Sequence, residues 1–89
     1  MAEGKISLTM YSKPGCHLCD EMEEVVRMVS AHVPLCLVQV DISTDPALDE
    51  RYGMDIPVLE HNGECLAKHR VHEKTLLAKL NKIALSPRP

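Results

Sequence analysis

An α/β fold, with a four-stranded mixed sheet and helices on both faces, is predicted by three features of this sequence. Residues 16 to 32 carry apolar side chains at helical spacing, Leu35 to Asp41 is nearly unbroken in apolar residues, and Asn62-Gly63 sits between two strand-like runs. The implied element order is β-α-β-α-β-β-α, a parallel pair of strands extended by an antiparallel hairpin.

The first strand is the run Ile6-Ser7-Leu8-Thr9-Met10-Tyr11. Lys13-Pro14-Gly15 breaks it and opens a helix from about Cys16 to His32, whose Met22, Val25, Val26, Val29 and Val33 fall on one face. Asp20, Glu21, Glu23 and Glu24 suit its N-terminal turns, where backbone N–H groups carry partial positive charge. Leu35-Cys36-Leu37-Val38-Gln39-Val40-Asp41 reads as a parallel strand covered on both sides. Ser43-Thr44-Asp45-Pro46 then caps a short helix through about Tyr52, with Pro46 in its first turn and Gly53 at its end. The runs Ile56-Pro57-Val58-Leu59-Glu60 and Glu64-Cys65-Leu66-Ala67-Lys68 flank His61-Asn62-Gly63 as a hairpin. A last helix from about His72 turns Leu76, Leu77, Leu80 and Ile83 inward. The expectation is one domain over residues 1–85 and a flexible tail over 86–89.

Composition narrows the function. A chain of 89 residues builds one modest core, and its two tyrosines are the only aromatic side chains, so Val, Leu, Ile and Met must fill it. That leaves no stacking platform for single-stranded nucleic acid, and a formal charge of −3 argues against binding a phosphate backbone. No apolar run approaches membrane-spanning length, and Met1 to Met10 lacks the hydrophobic centre of a secretory signal. The expected setting is intracellular, cytoplasmic or mitochondrial, and the expected state a monomer. In a reducing compartment a lone C-x-x-C is more often catalytic than structural.

Cys16-His17-Leu18-Cys19 is that motif, placed where a helix begins. The first backbone N–H groups of a helix lack intrahelical acceptors and favour an anion, here a thiolate. Cys16 is therefore the candidate nucleophile and Cys19 the resolving thiol that attacks the mixed disulfide. Residues three apart on a regular helix lie about 5–6 Å apart at Cβ, whereas a disulfide wants about 3.8 Å, so Cys16 belongs at the cap or first position. His17 is either a proton donor and stabiliser of Cys16 or an exposed helix-start residue. Asp20, four residues on, either opposes the thiolate with its charge or simply suits the helix N-terminus. Zinc competes for two cysteines at this spacing, but a structural site takes four ligands, usually in two clusters. Cys36 and Cys65 are far away in apolar runs and read as core packing, and the five histidines show no metal-binding period, so no metal is assigned.

The run Leu8 to Cys19, the strand end Val40-Asp41-Ile42, then Tyr52-Gly53-Met54-Asp55-Ile56-Pro57-Val58 and Gly63-Glu64 together resemble the thioredoxin superfamily. The short chain and the early motif look most like the small glutaredoxin-like proteins. The resemblance implies a thioredoxin-like fold, with Cys16 and Cys19 matching the nucleophilic and resolving cysteines. It also implies that Pro57 is the cis proline that lies against the thiols, turning the Ile56 backbone towards an extended substrate segment. Lys13 matches a lysine that contacts a glutathione carboxylate. Lys68-His69-Arg70-Val71 stands where glutaredoxins have a Gly-Gly-x-Asp type turn, and its basic side chains are candidates to grip carboxylates.

These readings converge on a thiol–disulfide oxidoreductase with no bound cofactor, acting on protein disulfides or glutathione mixed disulfides. Glutathione or a reductase would supply the electrons. The alternatives are a catalytically weak binding module on the same fold and a metal or iron–sulfur carrier using Cys16.

Overall fold

The computed structural model describes residues 5–85; the predicted tail, 86–89, lies outside the described residues. Strand β1 (Ile6–Ser12) alternates as a half-covered strand should, with Ile6, Leu8 and Met10 buried on one face and Ser7, Thr9 and Tyr11 on the other. Helix α1 (His17–Val29) buries Met22, Val26 and Val29. Its end is tightened by Val33 N–H donating to the Val29 carbonyl at 3.1 Å, after which Pro34 cannot continue the helix. Strand β2 (Leu35–Asp41) pairs in parallel with β1.

A 3-10 turn (Ile42–Thr44) leads into helix α2 (Pro46–Tyr52), where the Asp45 carboxylate caps the Ala47 and Leu48 N–H groups at 3.0 and 3.4 Å. Gly53 follows α2 because a Cβ there would run into the Asp49 carbonyl oxygen. Strands β3 (Val58–His61) and β4 (Glu64–Lys68) form the predicted hairpin, and Asn62 and Gly63 turn it with φ of 50° and 81°. Positive φ at both turn residues matches the right-handed twist of the strands, which is why Asn-Gly is favoured there. Between Leu59 and Glu60 the register slips from Ala67 to Cys65, leaving Leu66 as the extra residue. Helix α3 (Glu73–Leu85) follows.

The sheet order is β2-β1-β3-β4, with β3 antiparallel to both neighbours. The larger apolar cluster lies under α1 and α3, joining Leu8, Met10 and Leu59 to Met22, Leu76 and Leu80. A smaller one lies on the opposite face beneath α2, formed by Ile42, Tyr52 and Val58 with Tyr11, Leu48 and Ile56 against them. There Tyr52 stacks on Tyr11 with ring centroids 4.0 Å apart and donates its hydroxyl to Glu60 at 3.0 Å. Burial, then the Glu60 hydrogen bond, pushes the Tyr52 phenol up to about 12. Among the described residues no helix is long and apolar enough to cross a membrane.

Two expectations are corrected. β2 is an edge strand rather than a strand covered on both sides: Leu35, Leu37 and Val40 are half-buried, while Cys36 is exposed and Val38 is 52% exposed. Cys65, on the other edge strand, is exposed as well, so neither cysteine packs in the core. The cause is coverage. α2 has seven residues, about two turns, and shields only one end of its face of the sheet.

Candidate functional site

The site begins where β1 ends. Lys13-Pro14-Gly15 forms a turn, with Gly15 at φ 77° and Cys16 N–H donating to the Lys13 carbonyl at 3.3 Å. Cys16 leaves that turn with extended φ and ψ of −85° and 109°, which makes it the N-cap of α1 and leaves His17 as the first helical residue. Its sulfur accepts the Cys19 backbone N–H at 3.1 Å. A thiol thus fills the role usually taken by a Ser, Thr or Asp oxygen, satisfying one of the orphan donors at the helix start. Because the cap bends away from the helix, the Cα atoms of Cys16 and Cys19 are 5.2 Å apart and their sulfurs are joined as a disulfide.

The two sulfurs differ in access. Cys16 is half-buried, whereas Cys19 is 4% exposed. Cys19 opens onto a recess of about 290 Å³, lined on one side by Lys13 and Pro14 and on the other by Asp20, Glu23 and Asp41. The Ser43 hydroxyl and backbone N–H donate to the Asp41 carboxylate at 2.6 and 2.9 Å, holding its pKa below the ordinary value.

The flanking candidates are placed less uniformly. Lys13 reaches across to α2 and pairs with Asp49 at 2.7 Å, so it ties the turn before Cys16 to that helix. His17, well exposed, turns its Nε2 towards Glu21 at 3.0 Å, one turn along α1. Asp20 is exposed beside Cys19, and its backbone N–H donates to the Cys16 carbonyl at 3.2 Å. The Ile56-Pro57 bond is cis, and Pro57 is buried. Pairing of Tyr11 with Val58 puts Ile56 and Pro57 at the sheet end from which the Cys16 turn departs. The Pro57 carbonyl accepts His69 N–H at 2.8 Å, while among the described residues no backbone hydrogen bond engages the Ile56 N–H or C=O.

Asp49 and Glu21, the partners of Lys13 and His17, were not singled out by the sequence as site residues. Asp49 is invisible to any local pattern, whereas the His17 to Glu21 spacing of i, i+4 is a readable signal. Among the described residues, no three His, Cys, Asp or Glu side chains gather as a metal site.

Comparison with known proteins agrees with this geometry. Residues 7–81 match the family described as "Glutaredoxin-like domain (DUF836)". The crystal structure of target protein XcR50 from X. campestris is 31% identical, with a TM-score of 0.73, over 84% of this chain and 96% of that one. Its solution structure is 29% identical over 92% of this chain and 97% of that one, with a TM-score of 0.72. A point-mutant thioredoxin from Halobacterium salinarum shares the fold at 22% identity and a TM-score of 0.61, over 99% of this chain and 81% of that one.

Proposed function

Since this chain belongs to the glutaredoxin-like domain family, we propose that it is a thiol–disulfide oxidoreductase working through a Cys16/Cys19 dithiol cycle. The observation that carries the reading is Cys16 itself: a half-buried residue at a helix N-cap whose sulfur takes the Cys19 N–H, with the buried Cys19 sulfur joined to it.

In the proposed cycle the Cys16 thiolate attacks one sulfur of a substrate disulfide. A bond forms between Cys16 and that sulfur, and the other half of the substrate leaves as a thiolate that takes a proton from water. Cys19 then gives up its proton to solvent and attacks the Cys16 sulfur, releasing the second half as a thiolate that solvent protonates and closing the internal disulfide. Two electrons pass to the substrate. Glutathione or a reductase returns the pair to the dithiol, and no bound metal or organic cofactor takes part.

The backbone N–H that meets the Cys16 sulfur favours its charged form, both as the attacking group and as the group expelled by Cys19. The uncommitted N–H and C=O of Ile56 offer an extended substrate segment one added strand's worth of pairing beside buried Pro57. Protein disulfides and glutathione mixed disulfides are the proposed substrates. Lys13, held by Asp49, serves chiefly to fix the turn that presents Cys16.

The test uses a Cys36→Ala/Cys65→Ala background, so that the exposed thiols do not exchange. Cys16→Ser abolishes disulfide reduction, and Cys19→Ser accumulates a covalent mixed disulfide visible by mass spectrometry under non-reducing conditions. Retained activity in Cys16→Ser contradicts the reading. Equal turnover of protein disulfides by Cys19→Ser and the unsubstituted pair replaces the dithiol cycle with a one-cysteine mechanism.

A further inference from the structure

A trough of about 400 Å³ runs between α1 and α3 and starts at Leu18, one of the two residues between Cys16 and Cys19. Its floor is apolar, built from Met22, Val25 and Leu66, while Arg70 and Lys79 stand among its lining residues with His72. Glu21 is the single carboxylate among the lining residues, and its oxygen lies 3.0 Å from the His17 Nε2. Lys79 donates to the Leu66 carbonyl, an uncharged partner, at 2.6 Å. Lys68 is paired with Asp55 at 3.5 Å, but among the described residues no carboxylate or other acceptor engages the exposed Arg70 guanidinium. A cationic rim of this kind, in a chain whose net charge is −3, is a local departure from the rest of the surface.

We infer that this trough receives an acidic, extended polypeptide segment adjoining the substrate's reactive cysteine, so that the enzyme selects protein disulfides flanked by Asp or Glu. The substrate class rests on the redox function proposed above. From Leu18 to Val25 the helix advances about 10 Å at 1.5 Å per residue, room for roughly three extended residues beyond the cysteine. Apolar floor and cationic rim together suit a peptide that alternates apolar and carboxylate side chains. A phosphate ligand would leave the floor unused.

The test separates this surface from the chemistry by using peptides without sulfur. Two fluorescein-labelled peptides, identical except for three Glu or three Gln residues and with Ser in place of the cysteine, are titrated with the protein by fluorescence anisotropy. Each exposed ion pair is worth about 1.4- to 5-fold, so Arg70 and Lys79 together favour the Glu peptide on the order of tenfold at low salt. The preference shrinks towards unity near 1 M salt, where screening extends to about 3 Å. Arg70→Glu removes most of the preference, whereas Lys5→Glu, the same charge change on an exposed residue outside the trough, leaves it in place. Equal binding of the two peptides, or equal loss in both variants, overturns the proposal. So does displacement of the Glu peptide by glutathione at a lower concentration than by the unlabelled peptide itself. Because no step in this assay involves sulfur, failure of the redox cycle shows only in the trapping experiment and failure of the trough only here.

Discussion

Leu80→Ala probes the packing that holds α3 against α1 and the sheet. Leu80 is fully buried, one turn beyond the equally buried Leu76, and both close the larger apolar cluster. Removing three buried carbons forfeits about 2.4 kcal/mol at ~0.8 kcal/mol each. The incompletely collapsed cavity adds about 1–2 kcal/mol, for a total of about 3–4 kcal/mol. A chain of 89 residues holds roughly 4–13 kcal/mol at ~0.05–0.15 kcal/mol per residue, so the variant loses a large fraction of its stability. The chain has no tryptophan, and far-ultraviolet circular dichroism in urea is the suitable assay. With a slope of about 1 kcal/mol per molar, the midpoint falls by about 3 M. Leu77→Ala, at a half-buried position on the same helix, is the control and shifts it by about a third as much. A Leu80→Ala loss below about 1 kcal/mol would refute the packing of α3 described above.

Gly63→Ala costs about 1 kcal/mol by the same assay, purely through φ of 81°, because nothing lies within 4 Å of the added Cβ. An unchanged midpoint would mean that the hairpin turn differs. Absorbance near 295 nm should show Tyr52 ionising near pH 12, and Glu60→Gln should bring that midpoint down part of the way. The folded protein holds this phenol protonated past its ordinary value of 10.0, so the associated stability is complete below pH 10 and fades as pH climbs through about 12. Asp41 behaves oppositely: its lowered pKa adds stability above about 3.8 that is lost as pH falls, and Ser43→Ala should raise its midpoint in an NMR titration.

Much of this arrangement is legible in local sequence because its causes are local. The turn Lys13-Pro14-Gly15 and the acidic stretch after Cys19 locate the helix start, and the cap position of Cys16 follows from the reach a disulfide requires. Asn62-Gly63 reports its own backbone conformation. The stripe from Met22 to Val33 is set by helical periodicity and is buried as that pattern requires, Val25 excepted as partly covered. The cis Ile56-Pro57 bond, by contrast, was reachable only by resemblance, since few X-Pro bonds are cis.

What local pattern could not supply is which surfaces meet. Cys36 and Val38 sit in an apolar run, and only the shortness of α2 decides that they face outward. Lys13 looks like a free loop cation until α2 delivers Asp49 to it. The trough beside Leu18 exists because the chain after β4 and helix α3 return along α1, bringing Arg70 and Lys79 beside it. Each of these depends on tertiary docking between elements far apart in the chain.

The exposed thiols supply an internal standard for the central claim, that the helix start makes Cys16 the reactive sulfur. Fully reduced protein is treated with limiting iodoacetamide at neutral pH and mapped by peptide mass spectrometry. Cys16, only half-buried, is expected to be alkylated ahead of exposed Cys36 and Cys65, with Cys19 last. Labelling that simply follows exposure, or that reaches Cys19 before Cys16, would contradict it.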